Sequence, residues 1–253
     1  KKVNALVLVH NVEIMNNWIK DLNSFLTINE ELPTYTTPKG RVKKRGSLIG
    51  TFSSQKDATT GIIDIAMITS LGREDNINEL VRNYGMVIVD ECHHAAAVTH
   101  ENVLRAVTAR YIYGMSATIN RGDKQDKKMF MQLGPIRHRY TAKERAQKQG
   151  IGHYIYPRFT RLVDLNQSED RNPADYYRLI MQSELRNMQI VSDTMDCVMR
   201  GRTPVVMTKY KEHAQKLYDM LQGSADHVFL LQGGKSLKER AAIREDMAAV
   251  RAD

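Results

Sequence analysis

Short apolar runs recur along this chain, each followed by an amphipathic stretch, and that rhythm points to an α/β fold built on a parallel sheet. The first run, Val3-Asn4-Ala5-Leu6-Val7-Leu8-Val9, reads as a buried strand. The stretch after it brings Ile14, Trp18, Leu22 and Phe25 onto one helical face. The same alternation predicts strands over 62–68, 86–89 and 111–115, and helices over 76–83, 100–108 and 124–133. Residues 33–61 interrupt it. Pro33, Pro38, Gly40, Gly46 and Gly50 surround the basic cluster Lys39, Arg41, Lys43, Lys44 and Arg45, and a mobile basic loop around one short strand is expected there.

Beyond residue 140 the pattern changes and then resumes. Residues 141–160 are expected to be a connector, carrying Lys143, Arg145 and Lys148 before Gly150 and Gly152. Alternation over 154–165 reads as a strand with one buried face, and helical patterns follow at 174–180 and 184–199. Strands over 204–207 and 227–231 then alternate with helices over 212–221 and 237–250. Two α/β units in one chain result, one over 1–140 and one over 161–253.

Composition narrows the functional classes. The 253 residues carry 37 basic and 29 acidic side chains, a net charge of +8 that suits a polyanionic partner. No apolar run approaches the roughly 20 residues needed to cross a bilayer. Two cysteines, Cys92 and Cys197, provide no disulfide framework, so a reducing cytoplasmic setting is expected.

The residues that carry chemistry stand at strand ends. In Val87-Ile88-Val89-Asp90-Glu91-Cys92-His93 an apolar strand delivers two adjacent carboxylates where open α/β sheets place their ligands. Nucleotide hydrolysis needs such a pair: one carboxylate to hold Mg²⁺, usually through water, and one to polarise the attacking water. Asp90 is the candidate for the first task and Glu91 for the second. A solvated acidic turn that caps the next helix would show the same two residues. A second strand end, Gly114-Met115-Ser116-Ala117-Thr118, adds two small hydroxyls able to bond those carboxylates. Both features at this spacing are harder to explain by accident than either alone.

Together these residues resemble superfamily 2 helicases. Asp90-Glu91-Cys92-His93 is similar to the Walker B motif of that group, and Ser116-Ala117-Thr118 matches its Ser-Ala-Thr motif. The resemblance extends to Ala5-Leu-Val-Leu-Val-His-Asn-Val-Glu-Ile-Met-Asn-Asn-Trp18 and to Asp64-Ile-Ala-Met-Ile-Thr-Ser-Leu71, which look like segments that touch the nucleic-acid backbone. Residues 203–217 and 228–240 resemble the opening of a second RecA-like lobe. The similarity is greatest to the branch of type III restriction subunits and XPB-like translocases. It implies two RecA-like lobes with parallel sheets, and ATP and Mg²⁺ as cofactors. It also implies catalytic roles for Asp90, Glu91, His93, Ser116 and Thr118. His10, Asn11, Thr69, Ser70 and Thr208 would contact nucleic acid, DNA in preference to RNA. His93 is either a sensor within the Walker B turn or a structural histidine.

The departures are equally informative. No G-x-x-x-x-G-K-[ST] loop precedes residue 90. Gly234-Lys235-Ser236 imitates its end, but Phe229 stands where the first glycine belongs and the turn is too short to wrap a phosphate. The late motifs of the second lobe, with their arginine finger, are absent too. The chain is therefore expected to be the middle of a longer helicase or translocase, with a first lobe lacking its P-loop strand, an incomplete second lobe and little hydrolysis of its own. A non-hydrolysing nucleic-acid-binding module of the same fold, or an RNA helicase, are the alternatives. Zinc is rejected for Cys92, His93 and His94, because adjacent ligands converge poorly and no partner pair exists.

Overall fold

The computed structural model describes residues 3–73, 76–93, 98–117, 126–160 and 172–250. The chain divides into two compact units, residues 1–145 and 146–253, and each is described by itself.

In the first unit the chain runs β1 (Ala5–Val9), α1 (Val12–Phe25), β2 (Thr34–Thr36), β3 (Val42–Lys44), β4 (Ile49–Ser53) and β5 (Lys56–Asp57). It continues through β6 (Ile63–Met67), α2 (Ile68–Leu71), β7 (Gly72–Arg73), β8 (Asn76–Ile77), a 3-10 turn at Glu79–Arg82 and β9 (Met86–Val89). The helix α3 (Val98–Ala106), the strand β10 (Tyr111–Gly114) and the helix α4 (Asp126–Leu133) follow, and α5 (Ala142–Gln149) straddles the division between the units. Six strands form one sheet in the order β10-β9-β1-β6-β4-β5. Every neighbouring pair is parallel except β4 with β5. This is the parallel-sheet architecture expected of the first lobe.

The absence of alternation in β1 has its reason in the packing. Leu6 and Leu8 enter one buried cluster with Ala66, Val87, Val89, Val103 and Leu104, while Val7 and Val9 enter another with Ile65 and Met15. Both faces of the strand are covered, so every residue gains from being apolar, at roughly 1.5–3 kcal/mol for each large side chain fully buried. The second cluster is closed by Ile14, Trp18 and Leu22 of α1, as the helical spacing predicts. Phe25, predicted on the same face, ends the helix and is 83% exposed.

Residues 33–61 hold more structure than their composition suggests. β2 and β3 pair as an antiparallel hairpin, with the Arg45 guanidinium 4.3 Å from the centre of the Tyr35 ring. β4 joins the main sheet against β6 and buries Ile49. These strands are fixed by ladder pairing, which leaves no apolar period in short exposed segments. The helix expected over 76–83 is instead β8 and the 3-10 turn, whose first N–H groups include Leu80 N bonded to the Asn78 side chain at 2.9 Å.

Two polar clamps hold the strands where they begin. Asp64, in β6, has no solvent exposure. Its carboxylate accepts from Thr60 N at 2.7 Å, Thr60 Oγ1 at 3.0 Å, Gly61 N at 2.7 Å and the Tyr84 hydroxyl at 2.5 Å. Gly50 of β4 makes room for it, since a Cβ there would stand 2.0 Å from Asp64 Oδ1. Ahead of β1, Asn4 accepts from Gly85 N and donates to the Asn83 carbonyl, both at 2.8 Å.

The second unit contains α6 (Pro173–Gln182), α7 (Glu184–Met199), α8 (Lys211–Leu221) and α9 (Leu237–Ala249), and its described residues include no strand. The predicted strands over 204–207 and 227–231 carry no ladder, and Val205 and Met207 are 80% and 89% exposed. Their apolar pattern meets one requirement of a strand, but among the described residues no segment forms a ladder with them. The described part of 154–165 is likewise unpaired, with Tyr154, Ile155, Tyr156 and Phe159 exposed instead of forming a buried face. The connector is partly helical, because α5 lies within it. Among the described residues no helix is long and apolar enough to cross a membrane.

Candidate functional site

β9 ends at Val89, and the backbone then turns sharply. Asp90 N donates to the Leu8 carbonyl at 3.0 Å, Cys92 N to Met115 O at 2.9 Å, and Met115 N to Val89 O at 2.9 Å. The turn is thus tied to both neighbouring strands. Glu91 sits at φ +47°, the one described residue other than glycine with positive φ. Left-handed backbone is uncommon for a glutamate and is found where packing imposes it, often at functional sites. Gly114 allows the close approach that imposes it here: a Cβ there would stand 2.9 Å from Cys92 Sγ and 2.7 Å from Leu133 Cδ1. Cys92 itself is buried against Met129, and burial raises its thiol above the ordinary cysteine value, which makes it a core residue and not a nucleophile.

The side chains of Glu91, His93 and Ser116 converge at this turn. His93 Nδ1 lies 3.1 Å from Glu91 Oε2 and 2.9 Å from Ser116 Oγ. Ser116 Oγ is 3.4 Å from the same Glu91 oxygen. A ring nitrogen between a carboxylate and a hydroxyl oxygen acts best as an N–H donor, so His93 and Ser116 together hold one oxygen of Glu91. Thr118 and His94 lie outside the described residues.

Asp90 points elsewhere. Its Oδ1 accepts from Glu91 N at 2.8 Å, and its Oδ2 from the Trp18 indole N–H at 2.7 Å. The sequence reading placed Trp18 in the core and missed this bond, which spans 72 positions. The signal available was that a buried indole needs an acceptor.

The parallel register sets the remaining candidates beside the carboxylates. Leu8 pairs with Val89 and Val9 with Met67, so β9, β1 and β6 finish side by side. With neighbouring strands about 4.8 Å apart, the edge reads Ser116, then Asp90-Glu91, then His10-Asn11, then Thr69-Ser70. Asn11 is also the N-cap of α1: its side-chain oxygen accepts from Ile14 N at 2.8 Å, and its amide lies 3.0 Å from His10 Nε2. Thr69 is exposed and Ser70 half-buried, both on the single turn of α2.

Thr208 belongs to the second unit. Its hydroxyl lies 2.8 Å from His213 Nδ1, His213 Nε2 lies 2.9 Å from Asn187 Oδ1, and Asn187 Nδ2 donates to the Met181 carbonyl at 2.8 Å. Because the Asn187 amide is spent on Met181, its oxygen must accept, so neutral His213 carries its proton on Nε2. Nδ1 then accepts, and the Thr208 proton points at it. The Gly234-Lys235-Ser236 imitation of a phosphate loop is otherwise engaged. Lys235 Nζ donates to the Leu230 carbonyl at 3.2 Å, and Ser236 forms a capping box with Glu239 at the start of α9.

Known proteins resemble parts of this chain. The profile of the family described as type III restriction enzyme, res subunit, matches residues 1–121. A protein named as an ATP-dependent RNA helicase from Acanthamoeba polyphaga mimivirus is 32% identical over 74 residues, 29% of this chain and 14% of that protein. One named as a helicase from Escherichia phage T5 is 48% identical over 46 residues, 18% of this chain and 10% of that one. Among solved structures, the Hef helicase domain of Pyrococcus furiosus aligns at 12% identity with a TM-score of 0.40, covering 87% of this chain and 44% of that domain. The matched segments are thus small parts of the curated relatives.

Proposed function

Since residues 1–121 belong to a superfamily 2 helicase family, that of the type III restriction enzyme res subunit, we propose that this chain is part of a nucleic-acid-dependent ATPase that moves on DNA. The observation that carries the reading is the strand edge itself. Two carboxylates with separate hydrogen-bond partners stand one strand away from the His10-Asn11 turn. Glu91, held by His93 and Ser116, is the group that orients and polarises the attacking water. Glu91 engages His93 and Ser116 while Asp90 engages Trp18, so the two carboxylates are suited to different tasks.

Asp90 fits a hard cation. Each of its oxygens accepts one N–H bond and keeps a further lone pair. Among the described residues no group of three or more His, Cys, Asp or Glu could hold a metal ion, so Mg²⁺ would rest on Asp90, water and phosphate oxygens, its common manner of binding. When bound, Mg²⁺ neutralises charge on the transferred phosphoryl group. No G-x-x-x-x-G-K-[ST] loop stands in this sequence, so none of its residues is assigned to wrapping the phosphates. Ser116, with Thr118 beside it in sequence, would pass the state of Glu91 to the rest of the motor. His10, Asn11, Thr69 and Ser70 would hold the nucleic-acid backbone, a contact governed by charge and hydrogen bonds to phosphate. Thr208 would do so from the second unit.

The test is hydrolysis by the full-length protein, with and without DNA or RNA, beside Glu91→Gln. DNA-stimulated hydrolysis that the variant loses by at least about a hundredfold supports the motor and its base together. A non-hydrolysing binding module is the second reading, favoured by the lack of a phosphate loop in this sequence. It would appear as intact nucleic-acid binding with no hydrolysis in the full-length protein.

A further inference from the structure

We infer that Trp18 is a positioning residue for the metal-holding carboxylate, fixing Asp90 through its indole N–H; the inference rests on the proposed role of Asp90. The observation is a bond of 2.7 Å between Trp18 Nε1 on α1 and Asp90 Oδ2 at the end of β9. Filling space between α1 and the sheet would be served by phenylalanine or leucine. A partly buried indole carries a polar N–H that must find an acceptor, and this one finds the carboxylate.

The chemistry of the donor suits the task. Asp90 receives one N–H on each oxygen, from Glu91 N at 2.8 Å and from Trp18, and two donors on opposite oxygens fix both the position and the plane of a carboxylate. Both donors are neutral. A lysine or arginine in place of the indole would orient Asp90 equally well but cancel the charge a cation needs. An indole N–H orients while leaving the full negative charge available, as partners behind metal ligands commonly do.

The position of Trp18 along α1 adds a consequence. The helix begins at the Asn11 cap, beside the proposed nucleic-acid contact His10, and Trp18 stands two turns later on the face against the sheet. A shift of α1 caused at its first turn therefore reaches Asp90 through one side chain. Trp18 is the single tryptophan of these 253 residues, which gives the bond its own spectroscopic signal.

The experiment uses full-length protein with ¹⁵N-labelled indole, the Trp18 resonance being identified by its loss in Trp18→Phe. In metal-free protein the Trp18 N–H is expected to be protected from exchange and to shift in Asp90→Asn. Mn²⁺ alone is then titrated as a paramagnetic probe, with binding read from water-proton relaxation. Trp18→Phe is expected to weaken Mn²⁺ binding by about tenfold, within the range found when a partner behind a metal ligand is removed. In the Asp90→Asn background the same change should add nothing. An indole resonance indifferent to Asp90→Asn overturns the inference, as does Mn²⁺ affinity unchanged within about twofold in Trp18→Phe. Wild-type protein that binds no Mn²⁺ overturns it together with the metal role of Asp90. Hydrolysis is not read in any of these arms, so failure of the motor reading remains separately visible through Glu91→Gln.

Discussion

Tyr84→Phe removes one oxygen from the interior of the first unit and tests how its sheet is fixed. The Tyr84 hydroxyl donates to Asp64, a carboxylate with no exposure that has three other donors. A hydrogen bond to a charged group contributes about 1.5–3 kcal/mol. The loss should stay below the roughly 3–5 kcal/mol of a buried charge left without its partner, because Thr60 and Gly61 continue to solvate the carboxylate. A destabilisation of about 2 kcal/mol follows, or a fall in Tm of about 4–8 °C for a protein of this size. Urea unfolding at 25 °C, followed by circular dichroism, measures it as a lower midpoint at unchanged slope. The alkaline limb gives an independent check. Burial, then the bond to Asp64, raises the Tyr84 hydroxyl well above the ordinary tyrosine value. Above about pH 10 the unfolded chain loses that proton while the folded protein keeps it, so the unfolded state binds fewer protons and stability falls as pH rises. Tyr84→Phe should flatten that decline. A change below about 0.5 kcal/mol with an unaltered alkaline limb would refute the account of Asp64 as an anchored buried charge.

Three further outcomes are expected. Gly50→Ala should cost at least about 3 kcal/mol or prevent folding, because the new Cβ meets Asp64 Oδ1 at 2.0 Å and the Ala58 carbonyl at 2.7 Å; soluble yield and urea midpoint report it. Asn11→Ala should lower stability by about 1 kcal/mol through loss of the α1 cap, seen as a reduced urea midpoint and absent if Asn11 serves nucleic acid alone. In the second unit, burial first, then Arg186 and Lys216, hold His213 below the ordinary histidine value. On acidification below about pH 6.5 the unfolded chain takes up that proton before the folded one, so stability should drop there, and His213→Gln should remove the drop in a pH series of urea midpoints.

Elements that bury apolar surface were legible in the sequence, because burial leaves a period. β1, β6, β9 and β10 lie where largely apolar runs predict them, and α7 spans the residues its pattern predicts. Asp90 and Glu91 follow from their place after an apolar strand, and the mutual approach of Glu91, His93 and Ser116 follows from strands finishing level. What escaped depends on partners remote in sequence. The hairpin of β2 and β3 is made by pairing between exposed residues, and among the described residues no ladder forms over 204–207. The Trp18–Asp90 bond joins two residues 72 positions apart, and no local pattern records their meeting.

The clamps formed by Asp64, Tyr84 and Asn4 lie where the strands begin, while Glu91, His93, Ser116 and Asp90 lie where they end. A strand of five residues separates the two by about 16 Å. Substitutions at the opening ends can therefore alter how firmly the unit resists unfolding while leaving the chemical groups in place, and substitutions at the closing ends can retune chemistry at small cost in robustness. For protein engineering, heat tolerance and the proposed chemistry become two dials instead of one.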